Sequence, residues 1–455
     1  MPRNASVLSR ATALGASFPW VVGGPLGTVL FGTVLLGTFL LATLLAEEAA
    51  AQEWTRFRGP NGSGISDARS IPVTFTEKDY RWTADLPGKG ISSPVIWNDK
   101  VFVTSADEDK GERYLLCHRT SDGEKLWSKS FPFEREKKHA RNSYATATPA
   151  VDDERVYVIW TSRAKAELLA FTHDGQAVWS YDMGPYQSGH GGGTSPVVIG
   201  DLVVLNNHQE RNSYLLAVDR RSGQQKWKVA REGGKASYST PCARANAAGQ
   251  TEVVFTSFNH GVTAVSANTG TIAWEKSGLF DNDEEDKRAI GSPFVSEGLV
   301  FASCGFTAGK KILVGLRPPG AEKAADKTDD KGTTTVEQVY RQERVVNHMP
   351  TAIAYQGLVF TWADNGVVTC SHVKDGSQAW QKRVGGNYSG SPIIVDGKLY
   401  AISDAGDVVV LAAADKFEQL GSSSLGQTSS STPAVSGGVM YLRTYSKLFA
   451  IGGPR

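Results

Sequence analysis

Residues 217–227 read Ala217-Val-Asp-Arg-Arg-Ser-Gly223-Gln-Gln-Lys-Trp227, with a glycine and a tryptophan separated by three residues. A serine followed by a glycine is typical of a tight turn between two strands. The same spacing occurs five times in the chain, and each glycine follows an Asp, a Ser or a Thr. The pattern therefore predicts a structural repeat that contains a β-hairpin. The five pairs are Gly123/Trp127, Gly175/Trp179, Gly223/Trp227, Gly270/Trp274 and Gly376/Trp380.

A second sequence pattern occurs eight times, and its occurrences give the number of repeats. It consists of a small hydroxyl residue or its equivalent, a proline and an apolar run. Successive prolines are 41 to 57 residues apart, and each precedes two strand-like runs joined by a short turn. A four-stranded antiparallel unit cannot bury both of its faces alone, so such units must stack on one another. Radial stacking predicts an all-β fold, an eight-bladed β-propeller. The marking prolines are Pro94, Pro149, Pro196, Pro241, Pro293, Pro350, Pro392 and Pro433.

The ends of the repeat region predict how the ring closes. The last unit, which begins at Thr432, has three strands and no tryptophan strand, whereas Tyr80-Arg-Trp82-Thr belongs to no unit of its own. We therefore predict that the strand with Trp82 completes the last blade and removes the exposed sheet edges. Residues 54–455 then form one domain, although the 455-residue chain would by length suggest about three.

Two units depart from the repeat. In the fifth unit, residues 318–338 include a polar stretch rich in Lys, Asp and Thr, which predicts a disordered surface insertion. The seventh unit has Lys416-Phe417 where a glycine turn is expected, so the pattern defines its outer strand poorly. Cys117 and Cys370 stand six residues before a repeat glycine, where other units have alanine, and we interpret them as packing residues. The repeat tryptophans are interpreted as wedges between neighbouring blades.

The N-terminus has the features of a targeting segment. Arg3 and Arg10 precede an uncharged apolar stretch at residues 21–46, and small residues follow at 49–51. These are the parts of a secretory signal peptide, but the stretch is also long enough for a membrane span. We therefore expect residues 1–51 to be a signal peptide or a retained membrane anchor. Either alternative predicts an exported chain, periplasmic or extracellular, that contacts the membrane through this segment if it is not cleaved.

Composition excludes several classes of function. The chain has 48 Lys and Arg against 47 Asp and Glu, a net charge of +1, so no general attraction for nucleic acid is expected. The four cysteines form no CxxC pair, which argues against a zinc ribbon, a thioredoxin-type site and c-type haem attachment. There is no GxSxG or HExxH motif to support hydrolase or zinc-protease chemistry.

The repeat resembles that of the pyrroloquinoline-quinone (PQQ) propeller superfamily. The segments Ala217–Trp227 and Ala264–Trp274 carry the resemblance, and the lead-in Trp54-Thr-Arg-Phe-Arg-Gly-Pro-Asn-Gly62 is similar to the start of secreted bacterial PQQ-like propellers. The superfamily includes quinoprotein dehydrogenases and BamB, an assembly lipoprotein of the outer membrane, both with eight blades. Because the repeat motif is structural, the resemblance implies a fold and leaves the activity open.

The resemblance also implies which features a quinone-binding site would need. In quinoprotein dehydrogenases the quinone usually lies against a disulfide between adjacent cysteines, beside a calcium ion held by carboxylate and amide oxygens. No two cysteines of this chain are adjacent, and no set of Glu, Asn and Asp can be carried over residue by residue. We therefore predict no catalytic residue, no metal site and no cofactor, with PQQ and calcium as the alternative.

Meander topology predicts where a ligand would bind. The loops between the second and third strands lie on the same face as the loops between blades, and five of the eight histidines fall in this set. A polar mouth of this kind suits an anionic small molecule, a glycan or a peptide. The ligand-face candidates are His139, Arg141, Asn142, Tyr144, His190, His208, Asn259, His260, Asn347 and His348, with Asn206, Asn207, Asp364 and Asn365 nearby.

Two further motifs favour a structural interpretation. Gly189-His-Gly-Gly-Gly193 resembles a phosphate loop by its glycines, but it precedes a strand, whereas phosphate loops open a helix. The acidic run at residues 281–286 lacks the glycine of an EF-hand loop and is interpreted as a solvated turn.

Three functional hypotheses follow from the sequence. The first is an exported propeller that binds an envelope protein or another ligand in the cell envelope, as a scaffold without chemistry of its own. The second is a quinone-dependent oxidoreductase that acts on alcohols or sugars. The third is a ligand sensor that uses the polar mouth.

Overall fold

A computed structural model describes residues 53–280, 287–306, 309–320, 336–343 and 345–453. The chain separates into Met1–Ala49 and Ala50–Arg455, and all described residues belong to the second unit. The predicted targeting segment at 1–51, the acidic run at 281–286 and residues 321–335 of the predicted insertion lie outside the described residues. The described part of the chain contains no helix with the length and apolar character needed to cross a membrane.

The described residues form eight antiparallel sheets of four strands, arranged as the blades of a propeller. The predicted all-β, eight-bladed propeller is confirmed. Within each blade, consecutive strands of the chain are neighbours, as in a meander. A fifth strand, β1 (Ile65–Ser66), pairs in parallel with the innermost strand of blade 7.

The strands have the following bounds. Blade 1 has β3 (Val95–Trp97), β4 (Lys100–Asp107), β5 (Glu112–Arg119) and β6 (Lys125–Pro132), and blade 2 has β7 (Ala150–Val151), β8 (Arg155–Thr161), β9 (Ala166–Thr172) and β10 (Ala177–Gly184). Blade 3 has β11 (Val197–Ile199), β12 (Leu202–Asn207), β13 (Tyr214–Asp219) and β14 (Gln225–Ala230), and blade 4 has β15 (Cys242–Ala245), β16 (Thr251–Ser257), β17 (Gly261–Ser266) and β18 (Ile272–Lys276). Blade 5 has β19 (Phe294–Ser296), β20 (Leu299–Gly305), β21 (Lys311–Arg317) and β22 (Glu337–Glu343), and blade 6 has β23 (Ile353–Tyr355), β24 (Leu358–Trp362), β25 (Val367–His372) and β26 (Gln378–Arg383). Blade 7 has β27 (Ile393–Val395), β28 (Lys398–Ile402), β29 (Asp407–Ala412) and β30 (Gln419–Ser424), and blade 8 has β31 (Ala434–Ser436), β32 (Val439–Arg443), β33 (Lys447–Gly452) and β2 (Tyr80–Asp85). Short 3₁₀ turns occur at Pro60–Gly62 and Glu77–Asp79.

Burial explains why these sequences form stacked sheets. The two middle strands of a blade are buried on both faces, as in β12 and β13, because a neighbouring blade covers each face. The outer strands alternate between exposed and buried residues, as in β14, where Trp227 is buried between exposed lysines. The apolar core is accordingly divided into clusters between adjacent blades, such as the cluster that joins Leu168 of blade 2 to Leu205 of blade 3.

The repeat tryptophans join neighbouring blades. A Cβ atom at Gly223 of blade 3 would lie 2.7 Å from the Trp179 ring of blade 2, and the Trp179 Nε1 donates a hydrogen bond to the Arg220 carbonyl in the same turn. Glycine is required there because the backbone has a positive φ of 73° and no side chain would fit beneath the ring. Four other indoles donate to a carbonyl of the next blade. The pairs are Trp82 with Thr120, Trp127 with His173, Trp227 with Ala267 and Trp380 with Ala414.

Ring closure follows the predicted scheme. Strand β2 pairs antiparallel with β33, with Trp82 opposite Ala450 and Thr83 opposite Phe449. The Trp82 ring then packs on Gly123 of blade 1, so one N-terminal strand both completes blade 8 and joins it to blade 1.

The two irregular units have regular strands with different contacts. In blade 5, Tyr340 takes the tryptophan position opposite Gly315 and packs on Gly376 of blade 6. In blade 7, the outer strand β30 forms although the glycine turn is missing, and Gly421 takes the tryptophan position. A Cβ atom at Gly421 would lie 2.3 Å from the Val73 carbonyl oxygen, so the chain before β2 fills the space of the missing indole.

One repeat mark is out of register. Seven of the marking prolines directly precede the innermost strand of their blade, but Pro350 lies two residues earlier than its equivalents, and Ala352 occupies the proline position. The eight prolines count the eight blades correctly, but in this unit the hydroxyl residue does not precede the proline. The equivalent hydroxyl is Thr351, which follows the proline; its oxygen accepts the Ser292 N–H and its own N–H donates to Ser391, as at the other junctions.

Candidate ligand-binding cavity

Eight hydroxyl side chains form a ring around the central channel. Each belongs to the residue two positions before the innermost strand of its blade. At six of the eight blade junctions the backbone N–H of this residue donates to the hydroxyl oxygen in the next blade, at 2.9–3.0 Å. The ring therefore links the blades at their inner ends. Its members are Ser93, Thr148, Ser195, Thr240, Ser292, Thr351, Ser391 and Thr432.

An N-terminal segment, residues 54–66, crosses the channel beneath this ring, and we call it the strap. The carbonyl of Trp54 accepts from Ile96 of blade 1, and the carbonyl of Gly64 accepts from Ile394 of blade 7. Between them, Arg56 donates to the Pro241 carbonyl at 2.5 Å and Arg58 donates to the Ala352 carbonyl at 3.0 Å. The strap thus reaches from blade 1 across to blades 4, 6 and 7 and closes one end of the channel.

The open end of the channel is a cavity of about 490 Å³. The hydroxyl ring surrounds it, and Phe57 of the strap contributes to its lining. None of the described residues that line it carries a carboxylate group. The cavity is therefore rich in hydrogen-bond donors and in cationic or imidazole groups. The larger side chains of its wall are His139, Arg141, Asn142, His190, Tyr238, Arg288, Phe306, His348 and Met349.

The structure brings together half of the predicted ligand-face residues. Of the ten candidates, five line the cavity: His139, Arg141, Asn142, His190 and His348. They come from the loops before blades 2, 3 and 6.

The other five candidates lie outside the cavity. His208 and His260 stack on each other 5.8 Å apart on the loops of blades 3 and 4, and burial lowers the pKa of His208 to about 3. Asn347 is fully buried and donates to the Pro350 carbonyl at 2.6 Å, so it shapes the backbone behind His348. Asn259 donates to the Gly233 carbonyl, and Tyr144 packs on Phe133 and lines a separate void of about 40 Å³.

Two loops form the wall next to blades 2 and 3. The rings of His139 and His190 stack 5.3 Å apart, and Asn142 Nδ2 donates to the carbonyls of His190 and Gly192 at 2.7 and 3.0 Å. A Cβ atom at Gly192 would lie 2.1 Å from Thr161 Oγ1, so this glycine is needed for close loop packing. The predicted structural interpretation of Gly189–Gly193 agrees with this contact, although Gly192 and Gly193 also line the cavity.

His348 lies on the opposite wall. Its backbone N–H and that of Met349 donate to the two oxygens of Asp364 at 3.0 and 3.1 Å. Burial lowers the pKa of His348 to about 4, with Asp364 acting in the opposite direction, so the imidazole is neutral at neutral pH. Its Nδ1 is buried and has no hydrogen-bond partner in the described structure. Asp364 is therefore an anchor for this wall and does not line the cavity.

The strap contributes two buried cations. Arg56 and Arg58 are almost completely inaccessible, and burial lowers the pKa of Arg56 to about 10 and that of Arg58 to about 9. Both remain charged at neutral pH. Their Nε atoms are buried without a hydrogen-bond partner in the described structure, and their terminal nitrogens donate to neutral backbone carbonyls. Sequence reasoning noted this lead-in but did not place it in the channel.

The residues present do not fit a calcium-held quinone. No group of three or more His, Cys, Asp or Glu side chains within the described ranges is arranged to hold a metal ion. The four cysteines are free, buried and far apart in sequence, and burial raises the pKa of Cys117, Cys242 and Cys370 to about 12. Such buried thiols are packing residues, the interpretation that the sequence predicted for Cys117 and Cys370.

Comparison with known proteins identifies the family. The chain matches a family profile described as outer membrane protein assembly factor BamB, over residues 78–229, 122–308 and 324–453. The chain belongs to this BamB family. Membership confirms the resemblance to PQQ-like propellers, since the solved relatives include both BamB and quinoprotein dehydrogenases.

Among solved structures, BamB from Moraxella catarrhalis aligns with a TM-score of 0.56 and 14% identity, over 82% of this chain and 98% of that chain. A europium-containing methanol dehydrogenase aligns with a TM-score of 0.66 and 10% identity, over 87% and 90%. The quinohemoprotein alcohol dehydrogenase from Comamonas testosteroni aligns with a TM-score of 0.62 and 13% identity, over 89% and 81%. At such identities the BamB-family fold is shared, and nothing more is shown.

One curated relative is a 1-butanol dehydrogenase (cytochrome c) from Thauera butanivorans, 31% identical over 127 residues. The match covers 27% of this chain and 17% of that protein. The relatives of this BamB-family chain thus include an assembly factor and dehydrogenases, and membership does not decide between binding and catalysis.

Proposed function

We propose that the chain is an exported binding protein of the cell envelope, which holds a small ligand in the channel of its propeller and catalyses no reaction. The observation that carries the proposal is the cavity of about 490 Å³, closed at one end by the strap and lined by the hydroxyl ring. Ligand sites are typically pre-formed cavities of about 300–1,000 Å³ with a few convergent polar groups.

The chain connectivity supports this location for the proposed ligand site. The thirteen residues of the strap close one end of the channel, so the remaining space is a pocket with one opening. We propose a location in the cell envelope for two reasons. Residues 1–51 have the features of a targeting segment, and the matching family is described by an outer membrane protein assembly factor. An envelope protein that docks on the outer surface of the propeller remains part of the same proposal.

Thermal unfolding of the full-length chain tests the ligand site. We expect that at least one of D-glucose, citrate and inorganic phosphate raises the melting temperature, because a ligand that binds the folded state stabilises it by mass action. The double variant His190→Ala with His348→Ala removes two imidazoles from opposite walls and should abolish the shift. The exposed His372, on the outer part of blade 6, provides the control substitution His372→Ala. If none of the three compounds changes the melting temperature, the proposal of a small-ligand site fails.

A quinone-dependent oxidoreductase acting on alcohols or sugars is the second candidate, favoured by the partial match to a 1-butanol dehydrogenase. The absence of carboxylates among the described lining residues argues against a metal-held quinone. The test is incubation with PQQ and calcium, followed by gel filtration and a dye-linked assay with 1-butanol. Stoichiometric retention of quinone together with dye reduction would replace the binding proposal with the oxidoreductase. If the chain retains no quinone and reduces no dye, the result supports the first proposal.

A further inference from the structure

We infer that the ligand of the cavity is a small organic polyanion, bound directly by guanidinium and hydroxyl groups without a divalent metal ion between them. This inference rests on the proposed binding function and names the chemical class of its ligand. Three independent features of the cavity support it: the state of its hydroxyls, the placement of its arginines and the position of the nearest carboxylates.

The hydroxyl ring presents donors. Six of the eight hydroxyl oxygens accept a backbone N–H from the preceding blade, and none of the eight donates a hydrogen bond to any described residue. A serine or threonine hydroxyl has one proton to donate. All eight residues line the cavity, and their hydroxyl protons are available to a ligand. Because six of the oxygens already accept one bond, the ring has more free donors than strong acceptors and suits a ligand rich in acceptors.

Two guanidinium groups line the cavity wall, and two more lie buried in the strap at the closed end. Arg141 lines the wall, and its Nη1 contacts the sulfur of Met349 at 3.5 Å. Arg288 lines the wall beside Tyr238. At the closed end, Arg56 and Arg58 bond to the carbonyls of Pro241 and Ala352, each one residue beyond a member of the hydroxyl ring.

Three of these arginines, two in the strap and one in the wall, bond to neutral acceptors. None of Arg56, Arg58 and Arg141 forms an ion pair with a carboxylate in the described part of the chain, and their hydrogen bonds go to carbonyl oxygens or to sulfur. Buried charges are ordinarily paired, since removal from water is costly without a partner. A ligand with anionic oxygens would supply the missing negative charge.

The carboxylates nearest to the cavity do not line it and interact with other groups. Both oxygens of Asp364 accept backbone N–H groups, and Lys311 Nζ lies 3.8 Å from one of them. Burial raises the pKa of Asp404, while its hydrogen bonds to Ser389 and the charge of Arg141 act in the opposite direction. No group of three or more His, Cys, Asp or Glu side chains among the described residues is arranged to hold a metal ion there. The positive charge that a calcium ion would supply is instead provided by arginine, whose planar donors suit carboxylate and phosphate oxygens.

The test measures binding by isothermal titration of the full-length chain with four probes: citrate, fructose 1,6-bisphosphate, acetate and D-glucose. We expect binding of citrate or the bisphosphate, which distinguishes a carboxylate from a phosphate ligand, and weaker binding at high salt. EDTA should leave the affinity unchanged, and added calcium should not increase it.

Variants assign the interaction to the cavity. Arg141→Gln should weaken binding about tenfold, as expected for loss of a charge-assisted contact, and Arg141→Lys should restore part of it. Arg383→Gln, on the exposed end of β26, is the control and should bind as the wild type does. Circular dichroism verifies that each variant is folded.

Each outcome separates the inference from the proposed function. Binding of glucose without binding of either polyanion would overturn the inference and leave the binding proposal intact. Binding of citrate only in the presence of calcium would also overturn it. If no probe binds, the proposal of a small-ligand site in this cavity fails as well.

Discussion

At the scale of single residues, the contact between Gly123 and Trp82 carries the closure of the ring. Gly123 has a φ of 75°, and a Cβ atom there would lie 2.5 Å from the Trp82 ring of blade 8. Alanine would meet two penalties, the left-handed backbone and the clash with an indole that is held by its hydrogen bond to the Thr120 carbonyl.

We therefore predict that Gly123→Ala lowers the free energy of unfolding by about 2–4 kcal/mol, of which ~1 kcal/mol reflects the backbone. Urea denaturation provides the measurement. Gly200→Ala is the matched control, because Gly200 has a φ of 57° and no atom within 4 Å of its Cβ position. It should show the backbone cost alone. Equal losses in the two variants would show that the indole contact does not strain the substituted turn.

The buried His208 predicts a loss of stability in acid. Burial lowers its pKa to about 3, from 6.5, and the neighbouring His260 and Arg231 act in the same direction. Glu275 opposes them as the carboxylate beside His260. Because the folded pKa is lowered, the unfolded chain binds the proton first, so stability falls as the pH decreases from 6.5 towards 3.

We predict that His208→Gln flattens the pH dependence of unfolding in this window, measured by urea denaturation at several pH values. The exposed His372 serves as a control, and His372→Gln should retain the wild-type slope. A slope unchanged in His208→Gln would show that other groups govern acid unfolding.

At the scale of elements, the hydroxyl ring joins the inner ends of the blades. Thr148 of blade 2 accepts the backbone N–H of Ser93, and both residues are buried. Thr148→Val keeps the shape but removes the acceptor, which leaves a buried N–H unpaired at a cost of about 1–3 kcal/mol. Thr148→Ser keeps the hydroxyl and should cost less. We predict this order of unfolding free energies from denaturant titration, and the reverse order would contradict a bonding role for the ring.

The same elements show what the sequence could predict. The glycine–tryptophan spacing identified the outer hairpins, and the unpaired strand with Trp82 predicted the closure, because both depend on local turns and on counting. Tyr340 and Gly421 were missed at the tryptophan position, since their identity is decided by contacts with Gly376 and with the Val73 carbonyl of distant segments. Pro350 was placed out of register for a similar reason, because the bond between Thr351 and Ser391 is not encoded by the spacing of prolines.

At the scale of the whole molecule, the candidate site was only half predictable. The loops with His139, His190 and His348 could be assigned to one face from the meander topology alone. Whether a loop residue reaches the channel depends on how far its loop folds over the blade, so His208 and Asn347 were included although both are buried behind the wall. The strap was missed because no local pattern in residues 54–66 indicates that they cross a channel built from later residues.

The N-terminal region therefore has two separable tasks, channel closure by residues 54–66 and ring closure by β2. A chain that starts at residue 67 keeps β2 and its pairing with β33 but loses the contacts of Trp54, Arg56 and Arg58 with the channel. We predict that it unfolds cooperatively at a reduced temperature and no longer binds a ligand, because the closed end of the cavity is gone.

A chain that starts at residue 87 also lacks β2, which leaves blade 8 with three strands and removes the Trp82 ring from Gly123 of blade 1. Loss of this strand exposes a sheet edge and the apolar cluster around Phe449 and Tyr441. We predict that this chain associates in size-exclusion chromatography and lacks a cooperative thermal transition. Near-ultraviolet circular dichroism distinguishes the two truncated chains, since only the first should retain fixed aromatic packing. If both chains melt at the same temperature, β2 does not hold the ring together, and closure must instead depend on the bonds of Arg443 to Ser92 across the junction of blades 8 and 1.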